Sequence, residues 1–317
     1  MHISKRNTVC IKGFAALCIV LHHIYTNVYV KEGNILPVVF GNLGSCNVVL
    51  FLTLAGYGAY ISYSTSADEG RGKYLQKRFT KIYIPYLLVT AVWFVYRYRN
   101  FCTDGITMSI LLKFLGIDIH RDGFSDIAMW YMTLMFFWYI MFAVIMFCRI
   151  NDKIKISILF AIACYLHIYW SAWIPDTSML IRQAAFGFPC GVLLAYISLN
   201  CPKHMRIANN RLFQGGIGLG CLLLFGYMYV LCDFNAGIYV ISSLLYSLGV
   251  ISLFNIIETV HEFKVLHYIG GVILYIFDSY ENHWISGTIF ARRMDKVGSW
   301  HSAYCNCFCR SGNEMFD

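Results

Sequence analysis

Charge is what this sequence has least of. Of its 317 residues, 13% are Asp, Glu, Lys or Arg, while 58% are hydrophobic. A water-soluble domain carries about 25% charged residues. So few charges cannot cover a surface against water, which excludes a soluble globular fold and leaves lipid as the solvent for much of the chain. Strict alternation of apolar and polar residues is also missing. The apolar runs are continuous, which excludes a transmembrane β-barrel. There is no internal repeat, no low-complexity run and no linker. The class is all-α: a polytopic bundle of transmembrane helices.

Other absences narrow the reading. The 13 cysteines contain no CxxC pair. Most lie inside apolar runs, as Cys10, Cys18, Cys148, Cys164, Cys190 and Cys221 do, where a thiol packs as a small hydrophobe. Cys305, Cys307 and Cys309 alternate near the end, which is no zinc spacing, so no metal is expected. The net charge of +8 comes with no basic stripe outside the short loops. It reads as topology signal, and nucleic acid is not an expected partner. The basic start and apolar run of residues 1–30 lack a small-x-small cleavage site and read as an uncleaved first span.

About nine spans are predicted, at 11–30, 44–63, 82–98, 129–148, 156–174, 183–199, 212–232, 237–257 and 265–280. Lys and Arg collect on alternate connections: Lys5, Arg6 and Lys12, then Arg71 to Lys81, then Arg149, Lys153 and Lys155, then Lys203, Arg206 and Arg211. The intervening segments hold only Lys31, Arg182, or cations diluted by Asp104, Asp118, Asp122 and Asp126. The N-terminus is therefore predicted to be cytoplasmic. Residues 285–317 are polar and lack periodicity, and Arg292, Arg293, Lys296 and Arg310 would fall on the wrong side after a ninth crossing. The expected organisation is a membrane domain over 1–284 and an atypical tail over 285–317.

Ionisable residues at membrane depth are costly and mark function by default. Inside the spans they are Lys12, His22, His23 and His167, with Asp278 and Glu281 near the doubtful end. Lys12 and His23 are eleven residues apart. At 100° per residue they lie about 20° from eclipsed and about 16 Å apart along the helix. Lys12 is then expected at the cytoplasmic headgroups and His23 near the bilayer middle. His22 points about 100° away. This spacing fits a ligand with an anionic head and a reactive group further in. It equally fits a structural imidazole and a lysine snorkelling to lipid phosphate.

Arg78 and Lys81, in "YLQKRFTKIYIPY", are spaced i, i+3 and share a helical face ahead of the third span. With Lys12 they would make a cationic mouth for phosphates. Gly56 and Gly58 would allow close helix approach in the second span. Trp130 and Tyr131 open the fourth span at an aromatic-belt position. "GIDIHRDGFSD", from Gly116 to Asp126, reads as a solvated outer loop.

Taken in order, these pieces resemble the acyltransferase family 3 membrane proteins. Lys12, ten residues, then His23 matches that family's basic-x10-His motif in the first span. "VVLFLTLAGYGAYIS" is similar to its second-span stretch, with Ala55 where the family has serine. "KRFTKIYIPY" is similar to its Arg-x-x-Arg block followed by proline, and "MWYMTLMFFWY" to its fourth-span aromatic block. The resemblance covers about residues 5–145. It implies transfer of an acyl group, usually acetyl, from acyl-CoA to a hydroxyl of a cell-surface or secreted carbohydrate. It implies no tightly bound cofactor and acetyl-CoA as the donor. It makes His23 the essential histidine and Lys12 and Arg78 the required basic residues. Lys81 stands where arginine is commoner, and His22 and Trp130 are supporting candidates. It implies a multi-pass protein of the cell (inner) membrane, surrounded by lipid. The family's ten spans and late motif are poorly matched by "LHYIGGVILYIFDSYENHW", so a frameshift or truncation after about Gly271 is expected. The rival reading is a transporter or flippase of a lipid-linked glycan, with His23 as proton relay. Such proteins often carry internal repeats, and none is found here.

Overall fold

The computed structural model describes residues 3–28, 35–65, 70–101, 108–118, 129–173, 178–201, 210–231 and 236–257. All belong to the first of two compact units, Met1–Leu274 and Tyr275–Asp317. Ten helices are described: α1 (Lys5–Val28), α2 (Ile35–Thr65), α3 (Gly70–Phe101), α4 (Met108–Phe114), α5 (Met129–Met146), α6 (Asp152–Trp173), α7 (Ser178–Ala184), α8 (Gly187–Asn200), α9 (Arg211–Leu231) and α10 (Ala236–Ile257). There is no strand among the described residues. Among the described residues, five segments are long and apolar enough to cross a membrane: Lys5–Ile24, Leu43–Thr65, Leu180–Asn200, Arg211–Met228 and Gly237–Ile257. The first eight expected spans each fall on helix. The ninth, 265–280, and the tail lie outside the described residues.

The sixth span is broken in two. α7 ends at Ala184 and α8 begins at Gly187. Pro189 lies in the first turn of α8. It has no N–H to give to the carbonyl of Ala185, and its ring crowds that carbonyl, so one continuous helix is interrupted there.

α2 is the spine of the bundle. It packs on α1, α5, α7, α8 and α10. Its contact with α8 is backbone to backbone. A Cβ added at Gly56 would strike the Phe188 carbonyl, and one at Gly191 the Thr53 carbonyl. Gly187 meets Val49 and Leu52. Residue numbers rise together along this seam, so α2 and α8 run parallel. Small residues permit such close approach where no hydrophobic force from water draws helices together. Of the two glycines singled out in the second span, Gly56 makes the seam and Gly58 faces open space.

α5 fills the centre with large rings. Trp138 is fully buried and stacks on Phe188, with centroids 5.6 Å apart and planes 3° from parallel. Trp130 is also buried, with its ring edge-on to Tyr131. It is a core residue rather than an exposed belt anchor.

The third connection departs most from expectation. α4 packs on α3, with Phe94 against Phe114 and Trp93 beside Ile110. The hydroxyls of Tyr83 and Tyr86 donate to the carbonyls of Phe114 and Lys113. The Asp118 N–H donates to Thr133 Oγ1 on α5 at 2.9 Å. The chain therefore folds back between α3 and α5 instead of lying in solvent, and Lys113 and Asp118 end up buried, 3.8 Å apart. Residues 119–128 lie outside the described residues.

Candidate active site

The two ends of the bundle can be told apart by contacts. At one end the Ile3 N–H donates to the Tyr57 hydroxyl at 3.1 Å. There too the Tyr60 hydroxyl donates to Asp152, and Lys155 bonds Asp152 at 2.8 Å and the Tyr63 hydroxyl at 3.1 Å. This is the end at which α1 begins. At the opposite end the ring of His22 lies against Gly44, where an added Cβ would overlap it.

α1 presents three faces. Leu17, Leu21 and Ile24 are exposed and apolar. Asn7, Ile11, Ala15 and Cys18 are buried. The third face is the stripe Lys12, Ala16, Ile19, His23, at i, i+4, i+7 and i+11. Its middle members are 1% and 6% exposed. The face drawn by helical arithmetic is thus an interior one, with half-buried Lys12 and His23 at its two ends.

His22 belongs to the packed side. Its ring fills the space left by the missing Cβ of Gly44 and stands edge-on to His23, centroids 4.9 Å apart. Gly44 is the first residue of the second expected span. The histidine pair therefore lies level with the start of the second apolar segment, Leu43–Thr65. Lys12 lies inside the apolar stretch Lys5–Ile24. Helical side chains lean toward the N-terminus, so its ammonium reaches back toward the end at which α1 begins.

Below the histidines runs a polar seam that sequence reasoning passed over. The Tyr246 hydroxyl donates to Asn47 Oδ1 at 3.2 Å and also hydrogen-bonds Cys18. Asn47 Nδ2 donates to the Leu43 carbonyl at 2.7 Å. Cys46 Sγ lies 3.5 Å from Ser243 Oγ. Nearer the other end, Asn7 Nδ2 donates to Asn255 Oδ1. These pairs tie α1, α2 and α10 together inside the bundle. Of the Asn7–Asn255 pair only one donor and one acceptor are matched, Asn7 Oδ1 and Asn255 Nδ2 being buried without a hydrogen bond. The available signal was Asn47 standing alone in an apolar span.

Arg78 and Lys81 are on α3, whose packing partners are α4 and α5. Their side chains are not among those described. Among the described residues, no group of three or more His, Cys, Asp or Glu could hold a metal ion.

A family model described as an acyltransferase domain matches residues 10–277 of the chain. No curated protein and no solved structure matches it.

Proposed function

The chain belongs to the acyltransferase family 3 proteins that this domain defines, and on that footing we propose that it moves an acetyl group from acetyl-CoA to a carbohydrate hydroxyl. The observation that carries the reading is the interior stripe of α1, with a cation at one end and an imidazole at the other. Lys12, Arg78 and Lys81 hold the donor's phosphates at the cytoplasmic end, and the acyl thioester extends along the stripe to His23. His23 takes the proton of the acceptor hydroxyl as its oxygen attacks the thioester carbonyl. The carbon–sulfur bond breaks, the proton passes to the leaving thiolate, and free CoA and the O-acyl ester result. His22, seated on Gly44, holds the end of α1 in register and takes no proton. The N-terminus is cytoplasmic and the membrane is the cell membrane.

Purified protein incubated with labelled acetyl-CoA and a surface-glycan extract should place label on carbohydrate. His23→Ala should insert and pack normally yet lose transfer by about 100-fold or more, the usual contribution of a general base. Full transfer by His23→Ala would remove it from the mechanism. Glycan movement across vesicles without CoA release would favour the flippase.

A further inference from the structure

His167 is an ionisable residue inside the fifth expected span, and the proposed mechanism gives it no role. Arg182 is the lone cation of its connection. The structure joins them. Arg182 Nε donates to the His167 carbonyl at 2.7 Å, and His167 Nδ1 lies 2.9 Å from the Arg182 carbonyl. A carbonyl only accepts, so Nδ1 carries the hydrogen. In the neutral ring, Nε2 is then the bare acceptor. The edge of the ring also meets Phe186, with centroids 5.9 Å apart. Two reciprocal bonds to backbone thus fix both the imidazole and the guanidinium. Among the described residues, no carboxylate pairs with Arg182, and His167 Nε2 has no hydrogen-bond partner. The outer fork of the guanidinium is therefore oriented but unclaimed by described protein groups.

Position matters as much as geometry. α6 and α2 meet where Tyr60 bonds Asp152. Counting along each helix from that contact, His167 lies about 22 Å away and Gly44 about 24 Å, at 1.5 Å per residue. His22 rests on Gly44. His167, Arg182, His22 and His23 therefore occupy one layer, at the end of the bundle opposite the donor's entry. α7, which carries Arg182, is wedged there among α2, α5, α6 and α10.

We propose that His167 and Arg182 form an acceptor subsite for an acidic sugar. The Arg182 fork binds the sugar's carboxylate or phosphate, and His167 Nε2 accepts a hydrogen bond from a neighbouring hydroxyl. A planar fork suits an oxyanion bidentately, and a fixed one loses little freedom on binding. The proposal rests on reading the chain as a transferase to carbohydrate, and it narrows the acceptor from any hydroxyl to one beside a negative charge. The same chemistry would also take the phosphate of a lipid headgroup.

The test measures binding with no acyl-CoA present. Full-length protein in a phosphate-free detergent is titrated with fluorescent tri-galacturonate and with the neutral galactose trimer. Wild type should hold the acidic trimer about tenfold more tightly, the scale of one charge-assisted hydrogen-bond set. Arg182→Gln should erase the preference, and His167→Gln should weaken both sugars alike. Equal binding of the two trimers by wild type overturns the proposal, as does a preference that survives in Arg182→Gln. If that variant does not purify folded, Arg182→Lys keeps the cation without the fork, and an unchanged preference in it also overturns the proposal. Phospholipid phosphorus that co-purifies with wild type but not with Arg182→Gln, without any sugar preference, identifies a headgroup site and overturns it too. Acetyl-CoA binding is measured separately on the same protein. Its failure would sink the transferase reading and leave the sugar result standing.

Discussion

Two halves of this bundle are held together by opposite means. Where α2 meets α8, side chains are absent: Gly56, Gly187 and Gly191 let the two backbones touch. Where α3, α4 and α5 meet, side chains are everything. Phe79 stacks on Phe136 at 5.6 Å, Tyr83 and Tyr86 pack against the same ring, and a buried Lys113–Asp118 pair sits beside them. The first half tolerates no added atom at its seam. The second tolerates no unmatched charge. The contrast also divides the candidate site, since Lys12 and His23 belong to the glycine-seamed half and Arg78 and Lys81 to the aromatic half.

The sharpest way to break this contrast is in the aromatic half. Asp118→Leu leaves Lys113 buried without its carboxylate and should cost about 3–5 kcal/mol. The double variant Lys113→Met with Asp118→Leu should recover most of that loss, because the desolvation of both charges disappears together. Denaturant unfolding in detergent would show it. A double variant as unstable as the single one would mean that the pair stabilises the fold in its own right.

In the glycine half the expected loss comes from volume instead. Gly191→Ala places a methyl on the Thr53 carbonyl and should destabilise by about 1–3 kcal/mol, the usual cost of overpacking. The same measurement reads it, and an unchanged midpoint would show that the seam is looser than its geometry. The smallest effect is expected at Gly58, on the same helix but facing open space. Gly58→Ala should be neutral or gain up to about 1 kcal/mol from helix propensity. A loss there comparable to Gly191→Ala would erase the distinction between seam and open face.

The part of the site legible in the sequence was what one helix determines. The angle between Lys12 and His23 follows from residue spacing, and so does the divergence of His22. Whether that face was interior could not follow, because it depends on what packs beside Ala16 and Ile19. The level of His22 against its neighbours could not follow either: hydropathy slides freely along a run such as 5–28, and the His22–Gly44 contact is what sets α1 against α2. Lys113 and Asp118 were read as loop charges because a connection between spans normally meets water. Their burial depends on hydroxyls from Tyr83 and Tyr86, about thirty residues earlier in the chain.

By itself the sequence determined the solvent of this protein, its all-helical class, the places of its apolar helices among the described residues and its family. These follow from composition and from periodicities that act within a single helix. Only the tertiary structure decided which helices touch, that α2 and α8 run parallel and in contact, that the third connection folds inward, and that His167 meets Arg182. Those outcomes rest on the fit of distant side chains and on gaps left by missing ones. Such complementarity is a property of pairs of surfaces, and no periodicity in either strand of text encodes its partner.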